Sequence, residues 1–118
     1  MKKAFVEEMK KNLLDMKAEI LQNLMSEDEE FRDIVDKDDS KDLVDIASSD
    51  IDKTTLEALG AQELRRLRLI ESALVRIENG KYGLSLKSGQ PIPEERLRAI
   101  PYALYSIEEQ NELERRNR

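Results

Sequence analysis

The sequence predicts an all-α fold: a long antiparallel coiled-coil hairpin carrying a small turn-rich knob and a closing C-terminal helix. Three observations predict it. Residues 2 to 33 contain neither Gly nor Pro and carry a helical apolar stripe; a second stripe of similar length runs to Glu78; and three of the four glycines and all three prolines crowd into residues 80 to 101. With 39% of its 118 residues charged and only 4% aromatic, the chain has little bulky apolar material for a round core, which favours an elongated helical shape.

In the first arm, Val6, Met9, Leu13, Met16 and Ile20 follow one another at spacings of 3, 4, 3 and 4, the seam of a coiled coil, and Leu24 and Met25 extend it. A helix from Lys2 to about Asp33 would be roughly 45 Å long at 1.5 Å per residue. Such a helix needs a partner for its stripe. The second arm, from about Asp50 to Glu78, supplies one through Leu67, Ile70, Leu74 and Ile77, with Leu56 and Leu59 earlier on the same side. Asp50 or Asp52 is the expected N-cap, and Asn79-Gly80 the expected stop. Gly60 is read as a flaw of about 1 kcal/mol in an otherwise continuous arm.

Between the arms the chain is acidic. From Glu27 to Asp52 there are twelve acids against Arg32, Lys37 and Lys41, a local net of -9 within a whole-chain net of -6. The expected organisation is therefore residues 1–79 as the hairpin, with its acidic tip at about 34–49, and 80–118 as the knob with its closing helix. That last helix, from about Tyr105, places Glu108, Glu109, Glu112 and Glu114 ahead of Arg115 and Arg116, matching the helix dipole.

Composition narrows the chemistry. The chain has no Cys and no His, hence no disulfide, no thiolate or imidazole catalysis and none of the ordinary zinc or haem ligand sets. The start lacks the apolar run of a signal peptide and no 18-residue apolar stretch exists, so a soluble, cytoplasmic protein without a membrane segment is expected. Direct DNA binding is disfavoured because the most highly charged segment has the wrong sign to meet phosphates. An EF-hand beginning at Asp36 fails, with Lys41 where Gly is required and Ala47 where a bidentate Glu is required. Gly80-Lys81 is no phosphate loop, since Tyr82 follows. Ser85, Ser88 and Ser106 have no recognisable base to activate them, and an enzyme is not expected.

The knob nevertheless spells a specific pattern. Gly80-Lys81-Tyr82-Gly83-Leu84-Ser85-Leu86-Lys87-Ser88-Gly89, then Ile92-Pro93, Arg96-Leu97, Ala99, Pro101, Ala103 and Ser106-Ile107-Glu108-Glu109-Gln110, resembles the zinc-finger region of the DksA/TraR family of bacterial transcription regulators. The family pattern runs GxYGxCxxCG, IPxxRLxAxPxA and CxxC. Its four ligand positions fall here on Ser85, Ser88, Ser106 and Glu109, so the resemblance implies a degenerate finger without zinc. A second likeness lies at the tip, where Asp42-Leu43-Val44-Asp45-Ile46-Ala47 is similar to the family's DxxDxA motif.

The resemblance implies a regulator that binds RNA polymerase rather than DNA. It would pass its hairpin into the secondary channel and alter open-complex stability through Asp42 and Asp45, with Ala47 allowing close packing. A coiled-coil adaptor that kept the fold and lost polymerase binding is the alternative. Without zinc, which supplies about 10 to 16 kcal/mol in small finger peptides, the knob needs another source of stability. The expected source is an apolar core drawn from Leu84, Leu86, Ile92, Leu97, Ile100, Tyr102, Leu104, Tyr105 and Ile107. Some family members also bind the nucleotide ppGpp at the polymerase interface through basic residues. Here Ile100 and Gln110 stand where Arg and Lys are frequent, which puts a ppGpp response in doubt, with Arg98, Lys81 or Lys87 as substitutes.

Overall fold

The computed structural model describes residues 1–29, 32, 33, 51 and 53–117, with the backbone alone at 54. Five helices follow in order: α1 (Lys3–Glu27), α2 (Lys53–Ala58), α3 (Ala61–Glu78), α4 (Glu94–Ala99) and α5 (Ile107–Arg116). The chain is an all-α hairpin with a turn-rich knob at its base, as the apolar stripes predict. Among the described residues the extended pairing is confined to one antiparallel bridge between Leu84 and Pro91.

The seam between α1 and α3 is fully apolar at Met9, Leu13, Ile20, Leu67 and Ile70, each with no exposed surface. Its α1 face is rotated from the expected one. Phe5, Lys17, Leu21 and Leu24 are buried, whereas Val6, Met16 and Met25 are half-buried along the flank. Lys17 lies at 4% exposure within the stripe, its ammonium 3.8 Å from the Glu71 carboxylate on α3. Burial of an ion pair is tolerated where the partner stays close, and this contact fixes which turn of α1 faces which turn of α3.

Both arms depart from the expected continuous helices. The first is interrupted at Asp28, whose backbone is extended (φ -123°, ψ 107°), and helical backbone is found again at Glu29, Arg32 and Asp33. The Arg32 side chain donates from Nε to the Met25 carbonyl (3.1 Å), placing a cation at the carbonyl-rich end of α1. The second arm is two helices, broken at Leu59–Gly60, with Gly60 extended (φ -68°, ψ 163°) as the N-cap of α3. The low helix propensity of glycine permits the break, and the packing of the preceding segment against the seam favours it. Ile51, Leu56 and Leu59 are half-buried against the seam, with Ile51 and Leu59 packed on Leu21 and Leu24. The expected caps Asp50 and Asp52 lie outside the described residues.

At the other end α3 stops as expected. Gly80 takes the left-handed conformation (φ 72°), its N–H reaches the Ile77 carbonyl, and Lys81 N–H reaches the Arg76 carbonyl, the two bonds of a Schellman motif. Tyr82, Ile92 and Leu97 from the knob then join Phe5, Met9 and Ala73 in one continuous core. Arg98 ties α4 to α1, with its guanidinium 2.6 Å from Glu8 and 5.0 Å from the centre of the Phe5 ring.

Candidate functional site

The four degenerate ligand positions come together. Ser85, buried at 5% exposure, begins a tight turn that ends at Gly89 (φ 73°). Its Oγ accepts from the N–H groups of Lys87 (3.1 Å) and Ser88 (3.3 Å), and its carbonyl from Gly89 N–H (2.9 Å). Convergence of backbone N–H groups on the first side-chain atom of the turn keeps the loop in shape although that atom is an oxygen.

The second pair, Ser106 and Glu109, forms a capping box at the start of α5. Ser106 Oγ accepts from Glu109 N–H (3.1 Å), and Glu109 Oε1 accepts from Ser106 N–H (3.0 Å). The chemistry follows from spacing. Two ligands at i and i+3 of a CxxC turn are the N-cap and N3 positions of the following helix, so Ser and Glu there satisfy its free N–H groups reciprocally. The S-x-x-E signature is present in the sequence, and reading the four residues only as former ligands hides it.

Glu109 also joins the two halves. The Ser106 backbone N–H holds its carboxyl down at about 2, against partial desolvation that works the other way, and the nearby hydroxyls of Ser85, Ser106 and Ser88 lower it further. Lys87 on the first turn pairs with Glu112 on α5 at 2.5 Å and lowers that carboxyl's pKa in turn. Leu86 N–H donates to the Leu104 carbonyl (2.9 Å). A carboxylate with so low a pKa is a poor proton acceptor, so the serines are not set up as nucleophiles.

This donor set does not fit the zinc of a C4 finger. Zinc asks for thiolate or imidazole and for ligands that have lost their protons, whereas three of these four groups are neutral hydroxyls already accepting from backbone N–H groups and the fourth is a carboxylate closing the capping box. Among the described residues no group of three or more Asp, Glu, His or Cys side chains is placed to hold a metal ion.

The apolar support is narrower than the nine residues expected. Ile92 and Leu97 are buried and Leu84, Ile100, Tyr102, Leu104 and Tyr105 half-buried, but Leu86 and Ile107 are 58% and 53% exposed. Each stands second in its turn, on the outer side, where no core reaches. Tyr82, absent from that expectation, is buried, and its hydroxyl donates to the Pro101 carbonyl (2.7 Å). Burial pushes its pKa up to about 12, with Arg76 nearby opposing the shift. The Arg76 guanidinium donates to the carbonyls of Lys81 and Leu84, joining α3 to the knob.

The tip residues Asp42, Asp45 and Ala47 lie outside the described residues. Of the cations named as phosphate partners, Arg98 is engaged by Glu8 and Lys87 by Glu112.

A helical hairpin on a base of two facing turns, closed by a C-terminal helix, defines a hairpin-mounted finger protein. Comparison with known proteins narrows the class. Residues 86–115 match the prokaryotic dksA/traR C4-type zinc finger. An RNA polymerase-binding transcription factor DksA of Caulobacter vibrioides is 35% identical over 118 residues, covering 96% of this chain and 78% of that protein. The chain belongs to the DksA/TraR family, as a member without cysteine. Among solved structures, the RNA polymerase binding protein and transcriptional regulator Dks of Chlamydia trachomatis is 26% identical, with a TM-score of 0.58 over 98% of this chain and 93% of that one. Transcription factor DksA2 of Pseudomonas aeruginosa shares the fold at 24% identity, with a TM-score of 0.69 over 99% of this chain and 88% of that one.

Proposed function

We propose that this chain is a cytoplasmic RNA polymerase-binding transcription regulator that works without zinc and without contacting DNA. The observation that carries the proposal is the match along 96% of the chain to an RNA polymerase-binding relative, on a shared hairpin fold. In this reading the hairpin enters the polymerase secondary channel, and Asp42 and Asp45 act on promoter open-complex stability, with Ala47 permitting close approach. Carboxylates brought into a pore of reduced dielectric exert far larger effects on basic groups or a bound Mg²⁺ than they do in water. The acidic charge of the chain supports a protein partner over a nucleic acid.

The ligand-position cluster at Ser85, Ser88, Ser106 and Glu109 is structural in this proposal, holding the knob in place of a metal. We place ppGpp outside the regulation. Ile100 and Gln110 offer no charge to its phosphates, Arg98 and Lys87 are already paired, and the exposed Lys81 is left as a single cation for several phosphate charges.

The test is binding to purified bacterial RNA polymerase, with open-complex lifetime followed for the natural chain and for Asp45→Asn, with and without ppGpp. Binding by both, with the lifetime altered only by the natural chain and equally in either nucleotide condition, is the expected result. If neither binds, the chain is an adaptor that has kept the fold and lost the partner.

A further inference from the structure

The second arm doubles back. The ion pair between Lys17 and Glu71 sets the antiparallel register of α1 and α3. Continued in a straight hairpin, that register would carry Ile51 to a level about 20 Å beyond Leu24, thirteen residues further along α1 at 1.5 Å each. Ile51 instead packs on Leu21 and Leu24, and Leu56 and Leu59 also lie against the seam. The reversal takes place within the two residues that separate α2 from α3, Leu59 and Gly60.

The same register brings Asp28, where α1 is interrupted, level with Gly60. Both arms are therefore broken at one height. Short of that height the seam is closed at Met9, Leu13, Ile20, Leu67 and Ile70 by side chains with no exposed surface, while the doubled-back segment lies beside it with Ile51, Leu56 and Leu59 half-buried and Thr55 buried. No side chain caps α3 at Gly60, and the space where a Cβ would stand is empty to 4 Å. Turning ψ of Gly60 from 163° to the helical value near -42° would join α2 to α3 and satisfy N–H groups in the first turn of α3.

We infer that Leu59–Gly60 is a hinge between a folded-back state, in which α2 lies against the first arm, and an extended state, in which α2 and α3 form one helix. The two states differ by the burial of Ile51, Leu56 and Leu59 on one side and by the added helical hydrogen bonds on the other. The inference concerns the free chain and does not depend on the polymerase reading.

Two substitutions bias the hinge in opposite directions without disturbing the seam. Gly60→Ala fits the folded-back backbone, whose φ is -68°, yet favours the helix by about fivefold. Gly60→Pro also fits that φ, but cannot lie inside a merged helix. Because the chain has no cysteine, Lys10→Cys and Lys53→Cys, both at exposed positions, give a uniquely spin-labelled pair. Pulsed electron-electron resonance on the free protein should show a short distance in the natural background. It should show the short distance alone with Gly60→Pro, and with Gly60→Ala an added population about 15 Å longer. One distance distribution shared by all three chains, or a natural chain with only the long distance, would overturn the hinge. Circular dichroism of the same samples reports whether each variant is folded.

Discussion

Replacing Ser106 with alanine removes the N-cap of α5 and one of the hydroxyls that lower the pKa of Glu109. Two effects act together. The Glu109 N–H loses its 3.1 Å acceptor at a helix start, which by itself costs about 0.5 to 2 kcal/mol. The first turn around Ser85 then loses part of its link to α5, because the carboxylate that joins the turns is positioned by the same box. For a chain of this length a loss of about 1 kcal/mol lowers Tm by about 3 to 6 °C. The assay is thermal and urea unfolding followed by circular dichroism, with the midpoint falling and the urea slope unchanged. The double variant Ser106→Ala with Glu109→Gln should lose less than the two single losses added together, since both substitutions strike one hydrogen-bonded unit. Strictly additive losses, or an unchanged Tm in Ser106→Ala, would refute the reasoning that these residues took over the holding of the knob. A chelator should leave every midpoint where it was, whereas a chelator-dependent midpoint would restore a metal to the account.

The remaining predictions concern charge. Because the Glu109 carboxyl is held at about 2 in the folded protein against an ordinary 4.5, its contribution to stability is present above about pH 4.5 and disappears as pH falls through 2. Glu109→Gln should therefore flatten the acid limb of a stability–pH curve in that window, and an unchanged limb would contradict the shift. In the seam, Lys17→Met should leave stability unchanged or raise it, while Glu71→Ala, which leaves the buried ammonium without its α3 carboxylate, should lower it. Urea midpoints of the two variants decide the order.

Much of the architecture is legible in the residues, for reasons particular to each element. The stripe at Met9, Leu13 and Ile20 is apolar enough to declare a helix face, and Asn79-Gly80 declares its partner's end. Phe5 and Lys17 are not legible as seam positions. A lysine reads as surface until a carboxylate on another helix is known to face it, and the true stripe advances by fours where the apolar pattern suggests alternating threes and fours. Gly60 is visible as a weakness, but whether a weakness becomes a break depends on what six further helical residues would gain, a tertiary balance that local propensity does not contain. In the knob, the family spacing identifies which four residues meet. Their replacement chemistry is also written there, as S-x-x-E, although the part played by Ser85 and Ser88 depends on a contact between segments some twenty residues apart. Leu86 and Ile107 show the limit of counting apolar residues as core, since each occupies the outer corner of its turn.

The core that runs without interruption from Tyr82, Ile92 and Leu97 into Phe5 and Met9 has a mechanical consequence. Arg98 clamps α4 to Glu8 and to the face of Phe5, and Arg76 fastens α3 to the carbonyls of Lys81 and Leu84. Knob and shaft are therefore joined as one lever, with a handle held by serine and carboxylate oxygens that accept from backbone N–H groups. A displacement of the handle is coupled by these contacts to the shaft, whose continuous helix α3 ends at Gly60.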